Sequence, residues 1–299
     1  MKVCRTLPED TTTETAGAPR CCRLAPLHAH RPRRARRYPT DLSDAQWAII
    51  EPLLPDPGFL AGAGGRPESW CRRIIVDAIL YVVDNGIKWR ALPVDFPPYS
   101  TVFNYFAAWE KTRATARVLD ALRDRIRLAD GRAAEPTAAV IDSASVRGAA
   151  TVGAGTRGFD AGKKVNGRKR HIIVDTLGLL LAVVVTGAGV QDRDGAKPLL
   201  ELLTASRHKV RLVWADGGYA GKLVAWAGDT LGLTLRIVKR SDLPGFQVLP
   251  RRWVVERTLA WIASHRRCVR DYERLPAHHE AMVRWAMIRT TSKRLARKV

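Results

Sequence analysis

The sequence predicts an α/β protein in which a small all-helical domain of helix-turn-helix type precedes a mixed five-stranded sheet with flanking helices. Apolar residues recur at helical spacing before residue 130, and short apolar runs alternate with helical segments after residue 136. Three of those runs end in aspartate, and the chain of 299 residues has room for two domains. We therefore divide it into a disordered basic arm (1–40), a helical domain (41–130) and an α/β domain (136–299).

The arm has its own composition. It is rich in Thr, Ala, Pro and Arg, shows no helical or strand period, and ends in the basic run 31–37. A solvated basic segment of this kind can add nonspecific contacts to phosphates. The alternative is an upstream extension without a role, and the sequence alone leaves both open.

Helix signals follow the arm. Ser43 and Gln46 have the spacing of a capping box, and the short helix that they begin is followed by a second predicted helix over 69–84. A third is predicted to start at a cap formed by Ser100 or Thr101. This arrangement is compatible with a helix-turn-helix DNA reader, although small helical domains of other function share it.

After a linker that includes Pro136, the pattern changes to that of a sheet. Helices are predicted after the third, fourth and fifth strands, and Asp192 or Asp194 can cap the first of them. The predicted strands cover residues 138–142, 171–175, 179–185, 210–216 and 233–239. The predicted element order is three strands, then helix, strand, helix, strand and helix. This is the element order of a ribonuclease-H-like domain.

The charge balance indicates the kind of partner. With 50 Lys and Arg against 29 Asp and Glu, the net charge is +21, which favours a polyanion such as nucleic acid or an anionic membrane surface. The longest apolar run, 177–190, is too short to span a bilayer, and the N-terminus has no apolar signal segment. We therefore expect a cytoplasmic protein with no membrane partner. The five cysteines are irregularly spaced, which argues against a disulfide framework or a zinc ribbon.

Three acids stand where the predicted elements can bring them together. Asp142 ends the first strand, Asp216 ends the fourth, and Glu256 lies on the helix after the fifth. Oxygen ligands of this kind suit Mg²⁺ or Mn²⁺. Two such ions, about 3.5–4 Å apart, would activate a water or 3′-hydroxyl for in-line displacement at phosphorus. Any one of these acids alone would fit a loop carboxylate or a helix cap, but their joint placement favours a catalytic site.

Basic residues flank these acids along the chain. They could contact phosphates, or they could lie on a solvated surface without a binding role. The adjoining acid site favours phosphate contact. The predicted DNA-contacting residues are Lys163, Lys164, Arg168, Lys169, Arg170, Arg252 and Arg257. The glycine-rich segment 153–158 has the spacing of a dinucleotide-binding loop, but no apolar helix follows it, so a flexible loop is favoured.

Several motifs, in this order, closely resemble the bacterial insertion-sequence transposases of the IS-five family, within the IS-four-like DDE group. They are YPTDLSDAQW at 38–47, GIKWRALP at 86–93, IDSASV at 141–146, GKKVNGRKRH at 162–171, VQDRDGA at 190–196, WADGGY at 214–219 and WVVERT at 253–258. The resemblance implies a DDE triad at Asp142, Asp216 and Glu256 that cuts and joins double-stranded transposon ends through divalent metal. It also implies a sequence-reading helical domain and a homo-oligomer on paired ends.

The sequence departs from the family pattern in two places. The arm before Tyr38 is not part of that pattern. One or two turns past the glutamate, where the wider group often has a basic residue, this chain has Ala263 and Ser264, with Arg266 and Arg267 slightly later. The residue that contacts phosphate from this helix is therefore open.

Two alternatives differ in class. A transposase-derived regulator would bind DNA without catalysis, and it predicts a lost triad, whereas all three acids are present. A tyrosine recombinase would use His208 and Arg211 with Tyr219, but this tyrosine follows them too closely.

Overall fold

The computed structural model describes residues 35–58, 60, 68–207, 209–238 and 253–298. Nearly all of the predicted basic arm lies outside the described residues, as do Arg252 and the last residue of the predicted fifth strand.

Four helices form the first layer: α1 (Asp44–Ile50), α2 (Arg72–Asn85), α3 (Tyr99–Lys111) and α4 (Ala114–Ala129). The predicted capping box is confirmed, because Gln46 N donates to Ser43 Oγ at 3.2 Å and Ser43 N donates to Gln46 Oε1 at 3.0 Å. The predicted cap of α3 is wrong, since Pro98 occupies the N-cap position. Helix α4 was not among the predicted helices.

The second layer is a mixed sheet of six strands, not five. They are β1 (Ala138–Arg147), β2 (Gly158–Asp160), β3 (Val165–Asp175), β4 (Leu180–Gly187), β5 (Leu212–Ala215) and β6 (Thr234–Ile237). Their order is β2-β3-β1-β5-β6, and β4 also pairs with β3. The extra strand, β2, pairs with the start of β3. Gly167 permits the close approach of β3 to β1, because a Cβ there would stand 2.0 Å from the Val146 carbonyl oxygen.

Five helices complete the α/β part: α5 (Asp192–Ser206), α6 (Lys222–Leu231), α7 (Trp253–Ala263), α8 (Arg266–Val269) and α9 (Pro276–Leu295). The alternation of β1 separates two apolar clusters. Ala139 and Ile141 face a cluster that includes residues of α5 and α6, whereas Val140 faces one that includes residues of α7 and α9.

The helical layer and the sheet share an apolar core. The C-terminal helix α9 returns to pack against α1, α2, α3 and α4. Trp285 of α9 is fully buried, with its ring centroid 5.9 Å from that of Trp109 in α3. One apolar core thus crosses the predicted boundary between 41–130 and 136–299, and the division into two domains stays a prediction. No helix in the described ranges is long and apolar enough to cross a bilayer.

Candidate active site

Two of the predicted acids lie at the same level of two neighbouring strands. The parallel pairing of β1 with β5 sets Val140 opposite Trp214, and two residues further along each strand come Asp142 and Asp216. Parallel strands advance together, so these two carboxylates leave the sheet side by side. The prediction that the first and fourth strands are neighbours is confirmed.

Local hydrogen bonds fix both carboxylates. Asp142 Oδ1 accepts from Ser143 N at 2.7 Å. Asp216 is the N-cap of a short turn over Gly217–Tyr219, and its Oδ1 accepts from Gly218 N at 2.9 Å. A Cβ at Gly218 would stand 3.1 Å from that same Oδ1. Glycine therefore lets the backbone close around the carboxylate.

Glu256 is presented differently, by a helix. It lies exposed in the first turn of α7, a helix that packs on β1 and β3. Its neighbours Val254 and Val255 are buried and anchor this turn against the sheet. Within the described ranges, no three Asp, Glu, His or Cys side chains converge closely enough to hold a metal ion. The structure thus pairs two of the three predicted acids by register and leaves the third at the start of α7.

A fourth acid, Asp192, lies beside this pair. The predicted helix cap is wrong, because Gln191 is the N-cap of α5 and no side chain caps it. Instead, Asp192 Oδ1 accepts from Ser143 Oγ at 2.7 Å and pairs with Lys169 Nζ at 3.0 Å. The sequence predicted Asp192 only as a possible helix cap, since nothing local ties it to Ser143, which is 49 positions away.

Lys163 and Lys164 are exposed in the turn between β2 and β3. The pKa of the Asp160 carboxyl is lowered by a hydrogen bond from Ser145, by the Lys163 N–H and by the charges of Lys169 and Lys163. The Lys163 charge also acts to lower the pKa of Asp192. The exposed Lys163 ammonium therefore lies near Asp160 and Asp192, as a phosphate contact would require.

The following basic residues do not fit the prediction of phosphate contact. Arg168 is fully buried, and its Nη1 donates to Asp271 Oδ2 at 2.9 Å and to the Glu273 carbonyl at 2.8 Å. Arg170 is 3% exposed and donates to the Cys268 carbonyl. Lys169 is likewise buried, between Asp192 and other internal partners. The cationic atoms face inward, so these three residues serve the domain's interior.

Two sequence families match the chain. Residues 133–290 match the family described as "Transposase DDE domain", and residues 42–119 match the one described as "Putative transposase of IS4/5 family". The chain belongs to the IS4/IS5-type DDE transposases. A DDE domain implies a ribonuclease-H-like fold, which agrees with the mixed sheet and its flanking helices.

Two curated relatives come from Burkholderia cepacia. The chain is 34% identical over 125 residues to the "Putative transposase for insertion sequence element IS402", a match covering 40% of this chain and 59% of that protein. It is 32% identical over 120 residues to the "Insertion element IS402 uncharacterized 16.2 kDa protein", covering 39% of this chain and 77% of that one. The chain thus spans less than two thirds of the first relative's length. No solved structure matches it.

The site fits a hard divalent cation in its donor chemistry. DDE domains generally use divalent metal ions. The pair Asp142 and Asp216 offers the carboxylate oxygens that such ions prefer.

The last predicted contact, Arg257, lies in a cleft on the outer side of α7. Its guanidinium carbon is 4.3 Å from the ring centroid of Trp253 and 4.6 Å from that of Trp261. Its Nη2 donates to the Leu177 carbonyl at 3.0 Å. The cleft, of about 410 Å³, also contains Arg294, and burial together with the Arg294 charge lowers the pKa of Arg257. Two cations therefore share one opening to solvent.

Proposed function

We propose that this transposase binds the terminal inverted repeats of its insertion sequence and catalyses metal-dependent DNA strand cleavage and strand transfer. Asp142, Asp216 and Glu256 are its catalytic carboxylates and metal ligands, with Mg²⁺ or Mn²⁺, as two ions, bound between them. The observation that carries the proposal is the register of β1 and β5, which starts Asp142 and Asp216 from one level of the sheet.

Each acid has a distinct task. Asp216, fixed by the Gly218 N–H, and Asp142, fixed by the Ser143 N–H, form the rigid half of the site. Glu256, in helix α7, forms the other half of the site, and it completes the ligand set by approaching this pair. A bound divalent ion supplies Lewis-acid activation of the attacking water or 3′-hydroxyl and stabilises the leaving oxygen.

The DNA backbone is held by cations on two sides of the acids. Lys163 and Lys164 are exposed beside Asp160, and Arg257 faces solvent with Arg294 in the cleft outside α7. Arg252 precedes α7 in the sequence and stays a predicted DNA contact, since it lies outside the described residues. We further propose that the helical domain reads the repeat sequence. The protein would act as a homo-oligomer on paired ends, at the bacterial nucleoid in the cytoplasm.

The experiment compares Asp216→Ala with the unchanged protein on labelled DNA that contains the terminal repeats, in the presence of Mg²⁺. We expect strand cleavage to be lost while a gel-shift assay still detects DNA binding. Asp229→Ala, an exposed acid on α6, is the matched control and should cleave normally. Cleavage by Asp216→Ala at the unchanged rate would overturn the triad. If the unchanged protein binds the repeats without cleaving them, a DNA-binding regulator is the correct function.

A further inference from the structure

The C-terminal end of α9 carries more positive charge than nearby acids neutralise. Its cations, including those just past the helix, are Arg289, Lys293, Arg294, Arg297 and Lys298. Arg289 Nη2 lies 3.3 Å from Asp84 Oδ2. Arg294 and Lys298 share Asp130. Within the described ranges, two acids thus pair with three of the five cations.

The other two cations, Lys293 and Arg297, are exposed, and neither has an acid within 4 Å among the described residues. The helix dipole favours Lys293, which lies in the last turn of α9. It does not explain the whole row. Arg289 and Lys293 are four residues apart on the helix, where like charges repel, and Arg297 continues the same spacing. This repulsion would be relieved by a bound anion.

The row lines a cleft of about 450 Å³ between α9 and the end of α7, which we call the C-terminal cleft. Four of the five cations line it, and Asp84 is the one acid among its described lining residues. Trp261, Leu179 and Met287 add apolar surface. The excess of cations therefore makes the cleft attractive to an anion.

The C-terminal cleft adjoins the cleft outside α7, because Trp261 and Arg294 line both. The cleft outside α7 contains Arg257, which directly follows Glu256 along the helix. Cations thus extend from the turn of α7 that presents a proposed catalytic acid to the C-terminal end of α9.

At its other end, the row meets the part of the N-terminal arm that the structure describes. Arg289 Nη1 donates to the Thr40 carbonyl at 2.9 Å, and its Nη2 donates to the Pro39 carbonyl at 3.3 Å. Arg36 and Arg37 are exposed. They precede Pro39 by so few residues that they lie within about 11 Å of it. The end of the basic run therefore adds cations next to the C-terminal cleft.

The geometry of the row suits the backbone of duplex DNA. From Arg289 to Arg297 the helix axis advances about 12 Å. This is the rise of three to four nucleotides of one strand, at about 3.4 Å each. The bases of a single strand would instead need free aromatic faces for stacking. The rings of Trp253 and Trp261 both pack on the Arg257 guanidinium, at 4.3 and 4.6 Å, so contact with phosphates is favoured over stacking.

We propose that the C-terminal cleft and its row of cations form a second track for duplex DNA, in which Lys293 and Arg297 contact phosphates. The inference rests on the proposed function, in that DNA is the ligand, and it adds contacts that the sequence did not predict. The DNA passes from the acids along the outside of α7 to the end of α9. Phosphates carry no base information, so the track binds any sequence.

The test measures the affinity of the full chain for a labelled duplex of unrelated sequence, by fluorescence anisotropy over a salt series. Each phosphate contact contributes about one to the slope of log affinity against log salt. We therefore expect the double change of Lys293 and Arg297 to alanine to reduce this slope by about two. The double change Lys293→Arg and Arg297→Lys keeps both charges and should retain the slope. A slope of the alanine variant equal to that of Lys209→Ala, a change at an exposed lysine remote from α9 in the sequence, would overturn the track.

Two further measurements separate the other outcomes. Both side chains are exposed, so the alanine variant should keep the Tm of the unchanged protein. A reduced slope with a single strand of the same length, but not with the duplex, would overturn the assignment to duplex DNA. If the unchanged protein cleaves the terminal-repeat substrate while the alanine variant keeps its slope, the track fails and the proposed function stands. If the slope falls but the unchanged protein does not cleave, the track stands and the catalytic proposal fails.

Discussion

The basic run 163–170 contains two regions that look alike in sequence and differ in structure. In its first part, Lys163 and Lys164 are exposed in a turn. In its last part, Arg168, Lys169 and Arg170 are buried in β3. The first region can serve a polyanion outside the domain, whereas the second neutralises acids and carbonyls inside it. Charge density along a chain therefore indicates a nucleic-acid contact only where the backbone leaves the charges in solvent.

The largest expected effect comes from breaking the buried region. Arg168→Met would leave Asp271 as a buried charge without its guanidinium, because both side chains are fully buried. Removing one partner of a buried ion pair costs about 3–5 kcal/mol. We expect the free energy of unfolding, measured by urea titration, to fall by that amount. The matched change Lys164→Met, in the exposed region, should alter it by less than about 0.5 kcal/mol. Equal effects of the two changes would contradict the division of the run.

A smaller effect is expected at His171, the residue that follows the run. Burial lowers the pKa of His171 to about 4, and its Nε2 lies 3.0 Å from Thr186 Oγ1. The unfolded chain therefore takes up a proton near pH 6.5, where the folded chain does not. The resulting loss of stability begins as the pH falls below about 6.5 and is complete below about 4.

Urea unfolding at pH 7 and at pH 4.5 measures this loss. His171 should contribute about 2–3 kcal/mol of the difference between the two pH values. His171→Gln cannot take up the proton, so its difference should be smaller by that amount. An identical difference in both proteins would show that His171 titrates normally and is not held neutral in the fold.

The sequence predicted what local patterns specify. The capping box at Ser43 follows from nearby residue types, and the pairing of β1 with β5 follows from element order. The predicted end of the first strand at Asp142 is wrong, because β1 continues to Arg147. Helix α4 was not predicted, although its buried residues recur at helical spacing and the signal is present in the sequence.

Other features could not be read from local patterns at all. The start of β3 reads as a polar loop, since Arg168 becomes a core residue only when Asp271, 103 positions away, packs against it. The position of Asp192 beside Ser143 likewise depends on how α5 meets the sheet. Burial of charge is a tertiary property, so the sequence alone did not predict that Arg168, Lys169 and Arg170 lie inside the domain.

We expect the smallest effect on stability when Lys163 and Lys164 are both changed to alanine. This double variant also tests directly whether the exposed region binds DNA. Both side chains are in solvent, so the free energy of unfolding should change by less than about 0.5 kcal/mol for each. DNA affinity should fall for all sequences alike, because phosphates carry no base information. Each lost phosphate contact should reduce the slope of log affinity against log salt by about one. Fluorescence anisotropy over a salt series measures this slope. The control is Lys209→Ala, which changes an exposed lysine that follows α5 in the sequence. A slope equal to that of the control would remove Lys163 and Lys164 from the DNA-binding surface.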